Sequence, residues 1–481
     1  MTLSQFLAPA TLGLTAAATV WYLLTDSDRS NIKTSKHFPS LPLPFPYIFQ
    51  SNLVEVSSSE WPLRLHQLNS PTFVRLPGFP SPVLMVIDPQ LVKQLLSKCS
   101  TRPLIGDPSF TNLFGNTSIF RVVGSEHRRL RALCGRAFAK AALGFHFERL
   151  KSLAIQSLNA MAEACEAARA IDSMAFVQAY SYKAVCVFLV GDDSDQLEAL
   201  ELLEVDFIAF STGFLAEFRP RWIDYFSGNR IPKAVAARSR IIKKCTEMAA
   251  TRREQMNGGQ LFTDSLSAFI ESKDTDGNGF TDLEIAELFL DLLFAGFETT
   301  SKQLATVMYH LTHSITDSDM NLLMDEVANP ALFESETTFS SKGVHLEAFI
   351  KESMRMFPVL PAPTRILVED IVLDGVHLPA GTIVDAVREQ GLFIPNAQKF
   401  SLSNFIGHDA FDKNQSTDFV PFGMGEGMCL AFLLAKLEMK LIVAEALRFF
   451  VVHKSSSHKS PIFTHFPSKT VNCFITVERK Q

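Results

Sequence analysis

Along most of the chain apolar residues recur every three to four positions, the spacing of one helix face, and strict alternation is confined to short runs. Helical spacing extends from Phe138 to about Gly191, from Thr281 to about Leu311, from Leu346 to Met356, and onward from Ala431. Thr281 followed by Glu284 reads as a capping box opening the second of these. Two short runs, Phe73–Gly78 and Val83–Ile87, read as strands about a Gly/Pro turn, with a helix from Pro89 to Lys98 after them. A second dense apolar run spans Asp206 to Phe226.

The N-terminus has a different pattern. Phe6 to Leu24 carries no charge and approaches the ~20 residues that cross a bilayer, so residues 1–25 read as a membrane anchor. A cleaved signal peptide is the rival, favoured by Ala16-Ala17-Ala18 but lacking a basic leader. Arg29, Lys33 and Lys36 follow the stretch, which by the positive-inside rule leaves the body of the chain in the cytosol. Residues 26–47 read as a stiff proline-rich linker, and 48–481 as the catalytic body.

Net charge −6 with 47% hydrophobic residues excludes a disordered chain and a nucleic-acid partner. Seven scattered cysteines lack paired spacing and point to a reducing compartment. Asp274 to Glu284 begins like a calcium loop, but the twelfth position is Ile285, so a turn into the Thr281 cap is the economical reading.

Chemistry concentrates in three stretches. Pro421-Phe422-Gly423-Met424-Gly425-Glu426-Gly427-Met428-Cys429-Leu430-Ala431 places a cysteine on a glycine-rich turn before a helix, where a thiolate is stabilised and can ligate haem iron. A buried structural cysteine is the plainer alternative. Ala295-Gly296-Phe297-Glu298-Thr299-Thr300 sets an acid beside an alcohol in mid-helix, and Glu352-Ser353-Met354-Arg355 offers an i,i+3 acid–base pair.

Together, and in this order, the three resemble the signatures of the cytochrome P450 family. The resemblance implies a mainly α, P450-type fold, a large helical domain with a small β-rich region behind an N-terminal transmembrane helix. It implies haem b with Cys429 as the axial metal ligand, and cofactor contacts from Phe422, Gly423 and Ala431. Gly427 stands where the family has an arginine that reaches a haem propionate, and Ala431 where it has glycine. The family's Trp-x-x-x-Arg propionate pair corresponds to His127 and Arg131, a pattern similar to the retinoid-, sterol- and isoprenoid-oxidising branch, and Pro361 to Arg365 ends in a further propionate arginine, Arg365. With Gly427 lacking charge, these three residues are expected to carry more.

On the same resemblance, Ala295 and Gly296 make room for dioxygen, while Glu298 and Thr299 relay protons. Glu352 and Arg355 form a buried structural pair, joined by Asn404 in place of an arginine. Leu113, Phe114, Phe120, Leu292, Val359, Leu360, Ala362, Ile462 and Phe463 are the expected substrate contacts. The implied partners are O2, a small apolar substrate, the membrane of the endoplasmic reticulum, and NADPH-cytochrome P450 reductase, because no flavin or nicotinamide fingerprint occurs in this chain. Two alternatives remain open: reductase-independent rearrangement of a peroxide, and a degenerate haem- or lipid-binding protein.

Overall fold

The computed structural model describes residues 73–76, 83–106, 113–168, 170–217, 225, 228–360, 363–386, 399–406, 419–454, 462–465, 468–471 and 474–480. The expected anchor and proline-rich linker lie outside them.

The helices are α1 (Pro89–Lys98), α2 (Gly124–Cys134), α3 (Lys140–Ala168), α4 (Ser173–Val190), α5 (Ser194–Leu202), α6 (Glu204–Glu217), α7 (Arg230–Asn257), α8 (Ser265–Glu271), α9 (Asp282–His313), α10 (Asp317–Val327), α11 (Glu336–Lys342), α12 (Val344–Met356) and α13 (Phe432–Phe449). Strands β1 (Phe73–Leu76), β2 (Val83–Val86), β3 (Thr101–Pro103), β5 (Thr364–Leu367) and β8 (Ile383–Ala386) form one sheet in the order β1-β2-β8-β5-β3, with β2 and β8 parallel. A second sheet joins β4 (Ile171–Asp172) to β12 (Phe474–Arg479) and β9 (Phe450–Lys454). The hairpins β6 (Ile371–Leu373)–β7 (Val376–Leu378) and β10 (Ile462–His465)–β11 (Ser468–Val471) complete it. The β6–β7 turn uses Asp374 and Gly375, both at positive φ, as a two-residue hairpin requires.

Helix α9 is the axis of the molecule and is buried on almost every face, packed along α4 and α7. Its start is the capping box: Thr281 Oγ1 accepts from Glu284 N–H while the Glu284 carboxylate accepts from Thr281 N–H. Helix α4 is long and apolar enough to cross a membrane by composition, yet most of it is buried inside the fold, so it is a core helix.

The helical run expected from Phe138 to Gly191 is in fact α3 and α4, interrupted by β4. Asp172 caps α4 by accepting from Met174 N–H at 3.1 Å, and Ile171 pairs with Ile475 of β12. A backbone that must feed a distant strand cannot continue as helix, although its apolar spacing persists.

Candidate active site

One cavity of about 640 Å³ lies between α9, α2, the approach to β5, and the loop before α13. Each wall is fixed by local geometry.

The loop 421–431 turns at Gly423 and Gly425, whose φ values are 78° and 62°. Gly425 also lets the loop touch the end of α1, since a Cβ there would stand 2.6 Å from the Leu96 carbonyl. Cys429 N–H donates to the Phe422 carbonyl at 2.8 Å, closing the turn, and the Cys429 side chain stays exposed toward the cavity just before α13. Phe422 and Ala431 line the cavity as well, whereas Gly423 shapes the turn from outside it.

To the same cavity α9 presents Leu292, Ala295, Gly296, Glu298 and Thr299. Thr299 Oγ1 donates back to the Ala295 carbonyl at 2.6 Å, which spends its proton and leaves its oxygen as an acceptor. Gly296 has a packing role beyond the expected room for dioxygen, because a Cβ there would lie 2.5 Å from Cγ2 of Val185 on α4. Both oxygens of Glu298 are engaged, one by Ser211 Oγ of α6 and the other by the Lys302 ammonium.

The three bases expected at the haem carboxylates all border the cavity. His127 and Arg131 stand one turn apart on α2, and Arg365 comes from β5. Burial, helped by the neighbouring Arg131, pushes the His127 pKa down, so the ring is neutral near pH 7. Burial also lowers Arg131, while the nearby Cys429 opposes that shift. For Arg365 burial alone lowers the pKa, and its Nε is buried without a hydrogen-bond partner.

Of the expected substrate contacts, Phe120, Leu292, Val359 and Leu360 line the cavity. Leu113 and Phe114 do not: both are fully buried behind it, Phe114 within an edge-on cluster with Phe120, Phe210, Phe214 and Phe294. Ala362 lies outside the described residues, as do the side chains of Ile462 and Phe463, whose backbone forms β10.

Behind the cavity, Glu352 accepts from Arg355 Nε at 2.6 Å and Nη2 at 2.8 Å, from Ser401 N–H at 3.0 Å and from Asn404 Nδ2 at 2.9 Å. Asn404 thus supplies a hydrogen bond to Glu352, as the sequence reading allows.

Two wall residues escaped the sequence reading. Asp291 of α9 is fully buried, accepts from Ile119 N–H at 2.8 Å and pairs with Ser118 Oγ, and burial pushes its pKa up to about 8. An acid inside Phe289-Leu290-Asp291-Leu292-Leu293 was the available signal. Lys302, one turn after Glu298, was announced by i,i+4 spacing.

The Cytochrome P450 family model matches residues 39–475. The chain belongs to the cytochrome P450 family. It is therefore a monooxygenase of a family whose prosthetic group is a haem held by cysteine thiolate. This P450 is similar to beta-amyrin 11-oxidase of Glycyrrhiza uralensis, 24% identical over 412 residues that cover 83% of this chain and 81% of the relative. Taxane 10-beta-hydroxylase of Taxus cuspidata is 25% identical over 464 residues, covering 92% and 90%. Among solved structures, the retinoic acid bound cyanobacterial CYP120A1 superposes with a TM-score of 0.74 at 19% identity, over 92% of this P450 and 99% of that chain, a likeness of fold.

The residues present fit a haem. A thiol exposed toward the cavity supplies a soft ligand, and Arg131 and Arg365 border the cavity, Arg365 with a buried Nε that has no hydrogen-bond partner among the described residues, which suits a flat dianionic group.

Proposed function

We propose that this P450 is a haem b-thiolate monooxygenase that inserts one oxygen atom of O2 into an apolar, isoprenoid-like substrate. Its electrons come from NADPH through a separate reductase. The observation that carries the reading is that the exposed Cys429 lines one and the same cavity as Ala295 and Thr299 of α9. When bound, the haem supplies the activation of dioxygen.

The protein's share is placement and protons. Cys429 would hold the iron, with Arg131 close enough to favour its thiolate. Arg365, Arg131 and neutral His127 would hold the haem carboxylates. Thr299 Oγ1, which here donates to Ala295, would turn to relay a proton from solvent-fed donors, and Glu298 would join that relay only on parting from Lys302. Leu292, Phe120, Val359 and Leu360 would exclude water and seat the substrate.

Relatives named for beta-amyrin and taxane, and a structural neighbour holding retinoic acid, support an isoprenoid-like substrate. The uncharged stretch Phe6–Leu24 supports a single-pass anchor in the endoplasmic reticulum with the body facing the cytosol.

The deciding measurement is the absorption spectrum of the reduced, carbon-monoxide-bound protein. Wild type should give a thiolate-type Soret band and Cys429→Ala should lose it. A wild-type spectrum without that band sinks the proposal.

A further inference from the structure

A second cavity, of about 320 Å³, opens where the first turns of α3 meet the end of α4 and the segment leading into α8. Its volume falls at the lower end of the roughly 300–1,000 Å³ of small-molecule sites. It shares no lining residue with the first cavity, although Phe188, which borders the first, packs against the His146 ring of the second with centroids 5.5 Å apart.

His146 is the one group in this wall whose chemistry is unspent. It is 3% exposed, and among the described residues it makes no hydrogen bond. Burial pushes its pKa down, against the pull of Asp264 and Asp192, so the ring is neutral near pH 7 and one nitrogen is an acceptor. Buried polar groups find partners in folded proteins, so an acceptor left without one on a cavity wall calls for a donor from outside the chain.

The charges around it say which donor. Arg149 pairs with Asp192 at 3.2 Å, and the fully buried Arg252 of α7 pairs with Asp193, at 2.8 Å, and with Asp264. Three carboxylates thus face two guanidinium groups. Asp193 and Asp264 cap α5 and α8, so carboxylates of the chain itself already occupy those helix starts, and α4 brings its carbonyl end to the cavity at Gly191. Such a field repels an anion and favours a cation. Phe145 and Leu261, 65% and 95% exposed, add apolar surface to the same cavity.

We propose that this cavity is a second binding site, which takes a small primary amine carrying an apolar group. The ammonium donates to His146 within the field of the three carboxylates, and the apolar group covers Phe145 and Leu261.

The test is equilibrium dialysis of radiolabelled phenethylamine against the reduced holoprotein at neutral pH, with carbon monoxide on the iron so that the amine cannot ligate it. One saturable equivalent should bind. Phenylacetate should bind at least about tenfold more weakly, and so should the amine to His146→Leu, which loses a hydrogen bond to a charged group. Leu261→Lys, a change at an almost wholly exposed side chain, sets a competing ammonium at the cavity and should weaken binding about threefold or more.

Absence of saturable binding overturns the proposal and leaves the cavity to water. Phenylacetate bound as tightly as the amine overturns it as well, and so does unchanged affinity in His146→Leu, which would put the amine elsewhere on the protein. Should His146→Leu not fold, Leu261→Lys decides, and unchanged affinity there overturns the proposal. None of these outcomes turns on the haem reading: a protein without a thiolate-type Soret band is dialysed in the same way.

Discussion

Lys302 lies one helical turn beyond Glu298 on α9 and gives its ammonium to that carboxylate, with side chains only 6% and 15% exposed. A pair this little exposed is weakly screened by water, so losing the Lys302 ammonium leaves the Glu298 carboxylate with only the neutral Ser211 hydroxyl. Lys302→Met should lower stability by roughly 3 kcal/mol, the cost of an uncompensated buried charge. Glu298→Gln in the same chain should recover most of it. Urea melts of the two single variants and the double variant measure the coupling, and additive losses would show that the pair is not a unit.

Asp291 gives the protein a pH dependence of calculable sign. Its folded pKa is pushed up to about 8, first by burial and also by Glu287, against the hydrogen bonds from Ser118 and Ile119 and the nearby Arg238, while an unfolded aspartate titrates near ~3.9. Between those values the folded state keeps a proton the unfolded chain has released, so this residue's contribution declines as pH rises from about 4 to 8 and then levels. Asp291→Asn, which can still accept from Ile119 N–H, should flatten that slope. Thermal melts from pH 5 to 9 check it, and an unchanged slope would assign the dependence elsewhere.

Gly296 and Val185 are expected to behave as one site. Valine is stiff at χ1, so it cannot swing away from a new methyl whose Cβ would lie 2.5 Å from its Cγ2. Gly296→Ala should therefore cost about 1–3 kcal/mol through overpacking. Val185→Ala in the same chain should return much of that loss, read from denaturant midpoints.

The Glu352 network separates charge from neutral hydrogen bonding. Asn404→Leu removes one neutral donor among several and should cost about 1 kcal/mol. Arg355→Leu strands a carboxylate that is 0% exposed and should cost about 3–5 kcal/mol, with loss of soluble protein at 37 °C. Equal costs would mean Asn404 carries more than its charge suggests.

Much of this could be read along the chain because it is local. The Thr281 cap, the Pro89 helix start and the first two strands follow from residues within a few positions of each other. What escaped is tertiary. The break at Ile171 depends on a strand near residue 475, Leu113 is fully buried, and Phe114 is enclosed by Phe120, Phe210 and Phe294. The hydrogen bond from Arg365 Nη2 to the Gly427 carbonyl joins positions 62 residues apart. No periodicity encodes such contacts.

The pairing of Ile171–Asp172 with Phe474–Ile475 sets a schedule for biosynthesis. The earlier strand leaves the ribosome about 300 residues ahead of its partner, a wait of roughly 15–60 s at usual elongation rates of about 5–20 residues per second. During that interval Ile171 and Asp172, between α3 and α4, have no strand partner. A chain that stalls before residue 474 therefore lacks the pairing that ties the α3–α4 junction to the C-terminal strand.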